Sequence, residues 1–228
     1  MTGAGEVPIR IGASRKLLEF AARDDDLRLV LDGIGRAAHE AVASLESLAE
    51  VEDLEYAEMA AEGEWAIIEG LLGAGVVVCQ TRIEAVVSRA LTLHRLVNAG
   101  PPIKRPVLRS DLFRLGEPLR PESPFSKVEV VHALANFFKH RDGWSEAWSD
   151  DEDVEQEGVL PSRHWSKIRN EQQRETIRIV RDVGVRWGAG RPLADAIVAL
   201  GMPPGGLPGL ATIFREWSKS VVVRFATA

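Results

Sequence analysis

The stretch that decides the fold class runs from residue 24 to residue 48, DDDLRLVLDGIGRAAHEAVASLESL. Its three leading aspartates suit the positive end of a helix dipole and indicate a helix start. The apolar residues behind them recur at intervals of three and four: Leu27, Val30, Leu31, Ile34, Ala38, Ala41, Leu45 and Leu48. This period predicts an amphipathic helix of about six turns.

The same spacing continues toward the C-terminus. Apolar positions predict a second helix over Leu54–Leu72 and a third over Val76–Leu93. Gly73 and Gly75 lie between the two and favour a break there. Asparagine, glycine and proline at 98–102 then predict the end of the third helix.

The second half of the chain begins with a long connection. Residues 100–124 hold six of the twelve prolines, and a single helical turn is predicted at Ser110–Leu115. Four further helices are predicted: Ser126–Arg141, Trp165–Trp187, Leu193–Leu200 and one that begins near Leu210. Val221–Phe225 fits either a strand end or the tail of the last helix.

No segment alternates apolar and polar residues over a length that would anchor a sheet. We therefore expect one all-α domain over residues 1–228, an irregular up-and-down bundle of about six or seven helices. The proline-rich connection 100–124 and an acidic loop at 143–164 belong to this domain.

Charge limits the kind of partner. The net charge is −6, and the run DDEDVEQE at 150–157 supplies most of the imbalance. Such a balance argues against a protein that coats nucleic acid through bulk electrostatics, although it leaves room for a local RNA-cutting site. The acidic loop 143–164 is a possible contact for a protein partner.

The N-terminus and the apolar segment Trp65–Cys79 bear on cellular location and on cysteine chemistry. The N-terminus lacks the apolar core of a secretory signal, and Trp65–Cys79 is too short to span a bilayer and carries Glu69. We therefore expect a cytoplasmic protein without membrane contact. The single Cys79 cannot form an internal disulfide and is predicted to be a buried, unreactive thiol.

The predicted helix Ser126–Arg141 carries the most informative side chains. On a helical wheel of about 100° per residue, one half is apolar: Val128, Val130, Val131, Leu134, Ala135, Phe137 and Phe138. The other half holds His132, Asn136 and His140 at spacings of four, and is expected to face away from the core. It fits a solvent face, a hydrogen-bonded seam between helices, or a catalytic surface.

Metal and cofactor chemistry find no support in the sequence. His132 and His140 are about 12 Å apart along the helix axis, too far to share one ion. The sequence has no HExxH, no paired cysteines, no phosphate-binding glycine loop and no nucleophile elbow. We expect no metal and no cofactor.

Asn136 and His140 together suit metal-independent chemistry on RNA. A histidine can deprotonate a 2′-hydroxyl or protonate a leaving oxygen near neutral pH, so His140 is the predicted acid/base. Asn136 could orient the scissile phosphate, while Lys139 or Arg141 could stabilise the developing charge.

At these residues the chain resembles the HEPN superfamily, whose signature is an arginine, often followed by Asn or Asp, and then a histidine four to six residues later. Asn136-x-x-x-His140 matches the Asn and His part of this motif on a helix. The signature arginine would fall at Ala135, and the tyrosine that follows the histidine in one subgroup is Asp142. A second spacing match, Arg89-x4-His94, is expected by chance.

The resemblance implies a homodimeric, metal-independent endoribonuclease of a bacterial toxin–antitoxin or anti-phage defence module. A member without the arginine is either inactive or takes its charge from Lys139 or Arg141. Two alternatives stay open: a non-enzymatic helical interaction module that uses the polar face or the loop 143–164, and a nucleotide-binding regulator.

Overall fold

The structure is a computed structural model, and it describes residues 6–98, 106–140, 171–185, 191–203 and 206–226. Every regular element in these ranges is helical. The α-helices are α1 (Glu6–Ala21), α2 (Asp25–Ser47), α3 (Leu54–Val97), α4 (Arg109–Phe113), α5 (Lys127–His140), α6 (Glu171–Asp182), α7 (Pro192–Ala199) and α8 (Pro208–Ala226). A 3-10 turn, Leu48–Glu50, joins α2 to α3, and one isolated bridge links Pro118 to Ser126. The predicted all-α fold is confirmed.

Helix α3 is the axis of the molecule. It runs without interruption for 44 residues, about 66 Å at 1.5 Å per residue. The predicted break at Gly73 and Gly75 is therefore wrong. The Phe138 ring occupies the space where a side chain at Gly73 would lie, and Leu207 does the same at Gly75. These glycines permit close packing against α3 rather than ending it.

The other helices surround α3. α1, α2, α5, α7 and α8 all pack against it, and α6 packs on the far side of α5. The largest fully buried side chains of α8, Phe214 and Trp217, lie in the common core. Trp217 also donates its indole N–H to the Leu112 carbonyl at 2.8 Å, which ties α8 to α4. The core thus holds α5 and the 109–113 turn in fixed positions beside α3.

Helix α2 lies antiparallel to α3. The Arg82 guanidinium donates to the Arg23 carbonyl at 2.6 Å, just before α2 begins, and Ser44 near its end donates to Glu64 at 2.7 Å. From residue 42 to residue 67 no residue of this hairpin is fully buried. The tip of the hairpin therefore projects from the body as a helical arm.

Two helices end on glycines with positive φ. Gly184 (φ 83°) follows α6 and Gly201 (φ 81°) follows α7. At each, the next residue donates back to a carbonyl five positions earlier, Val185 to Val180 and Met202 to Ile197. This is the Schellman arrangement that glycine favours, and it ends α6 at Asp182 rather than at the predicted Trp187.

The structure also decides several of the remaining predictions. The helical turn predicted at Ser110–Leu115 is α4, and Val221–Phe225 belongs to α8, which settles the choice between strand and helix. No element was predicted for α1. The predicted helix start at Trp165 and the acidic loop 143–164 lie outside the described residues.

Helix α3 is also the one described helix that is long and apolar enough to cross a membrane by length and composition. Half of its most apolar window is buried inside the molecule. The core helix of a soluble protein meets the same criteria, so this finding favours neither location.

Candidate functional site

The site is built on α5, whose start the sequence specifies locally. Ser126 and Glu129 form reciprocal contacts: the Glu129 N–H donates to Ser126 Oγ at 3.3 Å, and the Ser126 N–H donates to Glu129 Oε2 at 3.4 Å. This capping box fixes where α5 begins. Burial then runs unbroken from Val130 to Phe137, because α3, α6 and α8 all pack against this helix.

This burial corrects the predicted two-faced helix. His132 and Asn136 do not face away from the core: each residue is only 8% exposed. Their polar groups are accommodated because α3 presents polar partners at the same spacing, Gln80 and Glu84. We call Gln80, Glu84, His132 and Asn136 the polar seam. It is a hydrogen-bonded seam between helices, one of the three possibilities open from the sequence.

Gln80 lies at the closed end of the polar seam. Its amide nitrogen donates to Asn136 Oδ1 at 2.7 Å and to the His132 carbonyl at 3.3 Å. With both residues buried, these bonds satisfy groups that would otherwise cost about 1–3 kcal/mol each. Asn136 is thereby a structural partner of α3 and not an exposed group on the protein surface.

The open end of the polar seam holds three charged or titratable side chains, Glu84, Arg109 and His132, which we call the His132 cluster. Arg109, the first residue of α4, forms an ion pair with Glu84. His132 Nε2 lies 2.6 Å from Glu84 Oε1 and 2.8 Å from Arg109 Nη2. The three groups come from three different helices and meet at one ring nitrogen.

This geometry gives His132 Nε2 a partner in either protonation state. When it carries a proton, it donates to the Glu84 carboxylate. When it lacks one, it accepts from Arg109, or from the Gln80 amide at 3.1 Å. A ring nitrogen that is hydrogen-bonded in both states can hold and release a proton, which is what acid/base catalysis requires.

Glu84 remains ionised across the physiological range. Burial by itself would raise the pKa of this carboxyl, but the hydrogen bonds and positive charge of His132 and Arg109 outweigh it and lower the pKa to about 2. The cluster therefore contains a fixed negative charge beside the imidazole.

Phe113 packs against both His132 and Arg109. Its ring centroid lies 5.3 Å from the His132 ring, and the Arg109 guanidinium carbon lies 5.3 Å from the same centroid. The His132 side chain is 10% exposed, while those of Glu84 and Arg109 are 41% and 40% exposed. The cluster thus opens to solvent on the Glu84 and Arg109 side.

The residues predicted from the sequence do not come together as one surface. Asn136 is buried in the polar seam, whereas Lys139 and His140 are exposed at the end of α5. Arg141 lies outside the described residues. Ala135, where the signature arginine would fall, is completely buried, so an arginine there would enter the core.

In the second spacing match, Arg89-x4-His94, the histidine has a structural role. His94 Nε2 accepts the Val107 backbone N–H at 3.3 Å, and the His94 ring meets Phe225 edge-on. Arg89 is exposed on another side of α3. His94 therefore anchors the segment before α4 and the end of α8.

Three groups of the site were missed by the sequence reasoning. Gln80 and Glu84 carried a usable signal: two polar residues four apart in an apolar helix match His132 and Asn136, four apart in another. Two such pairs on neighbouring helices can face each other. Arg109 carried no signal, because only the fold brings α4 to this point.

Two other buried residues of α3, Cys79 and Glu69, contact other helices. Cys79 is fully buried, as predicted, and that burial raises the pKa of its thiol to about 12. Glu69 accepts the Leu193 and Ala194 N–H groups at 3.0 and 2.8 Å, so its buried carboxylate caps the start of α7. Among the described residues, no three His, Cys, Asp or Glu side chains are grouped to hold a metal ion.

No protein-family model, no curated protein and no solved structure matches this chain. The likeness to HEPN proteins therefore rests on the spacing of Asn136 and His140 and on the helical fold.

Proposed function

We propose that this chain is a HEPN-like protein of a bacterial defence or toxin–antitoxin module, and that it cleaves RNA without a metal through the His132 cluster. The observation that carries the proposal is the position of His132 Nε2, within hydrogen-bond distance of both a carboxylate and a guanidinium at a solvent-facing edge. This moves the acid/base role from His140 to His132.

In the proposed reaction, neutral His132 takes the proton from a ribose 2′-hydroxyl. The 2′-oxygen forms a bond to phosphorus, and the bond from phosphorus to the 5′-oxygen of the next nucleotide breaks. The protonated imidazole then returns its proton to that 5′-oxygen. The products are a 2′,3′-cyclic phosphate and a 5′-hydroxyl end, so the reaction needs neither water nor a metal.

Arg109 supplies the positive charge in this scheme. Its guanidinium is 40% exposed and can exchange its contact with Glu84 for a phosphate oxygen. Arg109 thus supplies from α4 the positive charge that an arginine at the buried position 135 could not bring to a phosphate. Glu84 stabilises the imidazolium that forms during the reaction.

The test is cleavage of single-stranded RNA by the full chain in the presence of EDTA. We expect the wild type to produce 2′,3′-cyclic phosphate ends and to leave the 2′-deoxy analogue intact. Arg109→Gln removes the charge but keeps hydrogen-bonding capacity, and should lower the rate about 10²–10³-fold. Arg114→Gln is the matched control, because Arg114 is one turn away and its side chain is 71% exposed.

Equal cleavage by Arg109→Gln and the wild type would exclude the His132 cluster. Absence of cleavage by the wild type on a broad RNA mixture would favour an inactive descendant of such an enzyme.

One observation favours a second candidate, a non-enzymatic interaction module. The helical arm exposes large apolar side chains, among them Leu54 at 75% and Met59 at 66%. Apolar side chains concentrated on one projecting element are typical of a surface that binds protein. Binding through the acidic loop 143–164 remains a prediction, because that loop lies outside the described residues.

A further inference from the structure

The outward side of α3 carries an uncharged stripe along about seven turns of helix. Its members recur at intervals of three and four residues, as a single helix face requires. They are Tyr56, Met59, Gly63, Ile67, Gly70, Ala74, Val77 and Thr81. We call these residues the outer stripe. All are exposed except Val77, which is half-buried.

The outer stripe has the properties of a helix-packing surface. Tyr56, Met59 and Ile67 are 54%, 66% and 53% exposed. Gly63 and Gly70 have open space where a side chain would project, so another backbone can approach closely. Small residues four apart, as at Gly70 and Ala74, permit such an approach between helices.

The two threonine hydroxyls on this side are already hydrogen-bonded within α3. The Thr81 hydroxyl donates to the Val77 carbonyl at 3.1 Å, and Thr92 does the same to Ser88 at 2.8 Å. Both hydroxyls would therefore keep a hydrogen bond if the surface became covered.

The charges that flank the stripe are segregated along α3. Its first third carries Glu55, Glu58, Glu62 and Glu64, and no lysine or arginine occurs between residues 37 and 81. Its C-terminal half carries Arg82, Arg89 and Arg95, and the one carboxylate there, Glu84, is paired with Arg109. The helix dipole favours Glu55 and Arg95 in the terminal turns, but it does not extend to Glu62 or Arg82.

Charge complementarity therefore selects the orientation of a partner helix. A second α3 laid antiparallel on the first would place the acidic end of one copy beside the basic end of the other. A parallel copy would place like charges together. Glu55 and Arg95 also lie on the same side of the stripe, within about 40° on the helical wheel, so they would meet across a two-fold axis.

The charges in question are available for such contacts. Neither Glu55 nor Arg95 forms an ion pair in the described part of the chain, and both are exposed. With Glu55 of one copy beside Arg95 of the other, the two-fold axis falls at residue 75, beside the small exposed side chain of Ala74, and Gly70 lies a little more than one turn away.

We propose that the outer stripe is the interface for a second copy of this chain, which pairs with it antiparallel, α3 against α3. The proposal does not depend on RNA cleavage. An anionic membrane is the less suitable occupant, because the acidic side chains that flank the stripe would be repelled by it.

The test is sedimentation velocity of the full chain over a concentration series. We expect a dimer, and we expect Gly70→Glu, which puts a charged side chain into the close approach between the two helices, to give a monomer. Gly12→Glu is the matched control: Gly12 is also an exposed helical glycine with open space around it, but it lies on α1. Circular dichroism should show both variants folded, since glutamate is a better helix former than glycine.

Charge reversal tests the orientation. Glu55→Arg and Arg95→Glu should each weaken the dimer about tenfold, because two symmetry-related contacts change from attraction to repulsion. The double variant should restore the wild-type affinity. A double variant as weak as the singles would overturn the antiparallel arrangement.

Two results would overturn the interface itself. One is a wild type that stays monomeric at about 100 μM, a concentration at which even weak specific dimers form. The other is a Gly70→Glu variant that remains dimeric. Binding of wild-type monomer to phosphatidylcholine and phosphatidylserine vesicles, abolished by Gly70→Glu, would identify a membrane as the occupant instead.

Discussion

Two faces of α3 depart from the usual rule that polar side chains lie outside a protein and apolar ones inside. The side toward α5 carries Gln80 and Glu84, whose polar groups are partly or wholly removed from solvent. A neighbouring face, about a quarter turn away around the helix, exposes Tyr56, Met59 and Ile67. Because buried polar groups and exposed apolar surface are the informative departures from ordinary packing, both proposals concern this one helix.

The comparison shows that partners decide where a side chain lies. Gln80 is buried because Asn136 and His132 satisfy its amide, and the outer stripe is exposed because no described element covers it. Removing a polar side chain of the polar seam should therefore lower the free energy of unfolding more than removing a side chain on the outer side.

The largest expected effect is that of Gln80→Ala. This change leaves buried Asn136 Oδ1 without its donor and creates a cavity, so it should lower the free energy of unfolding by about 2–3 kcal/mol. Thr81→Ala, the next residue and on the outer side, should change it by less than about 0.5 kcal/mol. Urea denaturation measures both, and equal losses would mean that the polar seam does not stabilise the fold.

A smaller effect is expected from the same substitution at two glycines of α3. Gly73→Ala would place a methyl group in the space of the Phe138 ring and should destabilise by about 1–2 kcal/mol. Gly70→Ala faces open space and should stabilise by about 0.5–1 kcal/mol, because alanine favours helix. Thermal unfolding of the two variants gives the comparison, and stabilisation by Gly73→Ala would show that Phe138 does not rest on this glycine.

The smallest effect is the pH dependence contributed by Glu84. Its folded pKa of about 2 lies below the ordinary 4.5, so it adds stability above pH 4.5 that is lost as pH falls toward 2. Solvent screening of a side chain that is 41% exposed reduces this contribution to about 1 kcal/mol.

Glu84→Gln should therefore be less stable than the wild type at pH 7, and the difference should shrink steadily below pH 4.5. Glu58→Gln, an exposed carboxylate on the same helix, serves as the control. A difference that stays constant down to pH 3 would contradict the ion pair with Arg109 and His132.

Local patterns were enough to predict most of the helices. The three- and four-residue spacing identified α2, both halves of α3, and α5, because each buries an apolar stripe. The break at Gly73 was predicted wrongly, since a glycine that ends a helix and one that admits an aromatic ring look alike in sequence.

The site could be predicted only in part. The sequence points to His132 and Asn136, but it predicts wrongly that they face away from the core. A helical wheel cannot show that polar partners, Gln80 and Glu84, lie opposite them on α3. Arg109 enters through a connection whose path depends on the whole fold. The outer stripe was not predicted, because Tyr56, Met59 and Ile67 lie among other apolar residues of the sequence, and only the packing shows that they are exposed.

The central question is which histidine of α5 performs the chemistry. His132→Asn and His140→Asn should be compared by the rate of RNA cleavage, after unfolding measurements show that both variants are folded. We predict that His132→Asn loses at least about 10²-fold in rate, while His140→Asn retains wild-type activity. Loss of activity in His140→Asn with retention in His132→Asn would show that His140, and not His132, performs the chemistry.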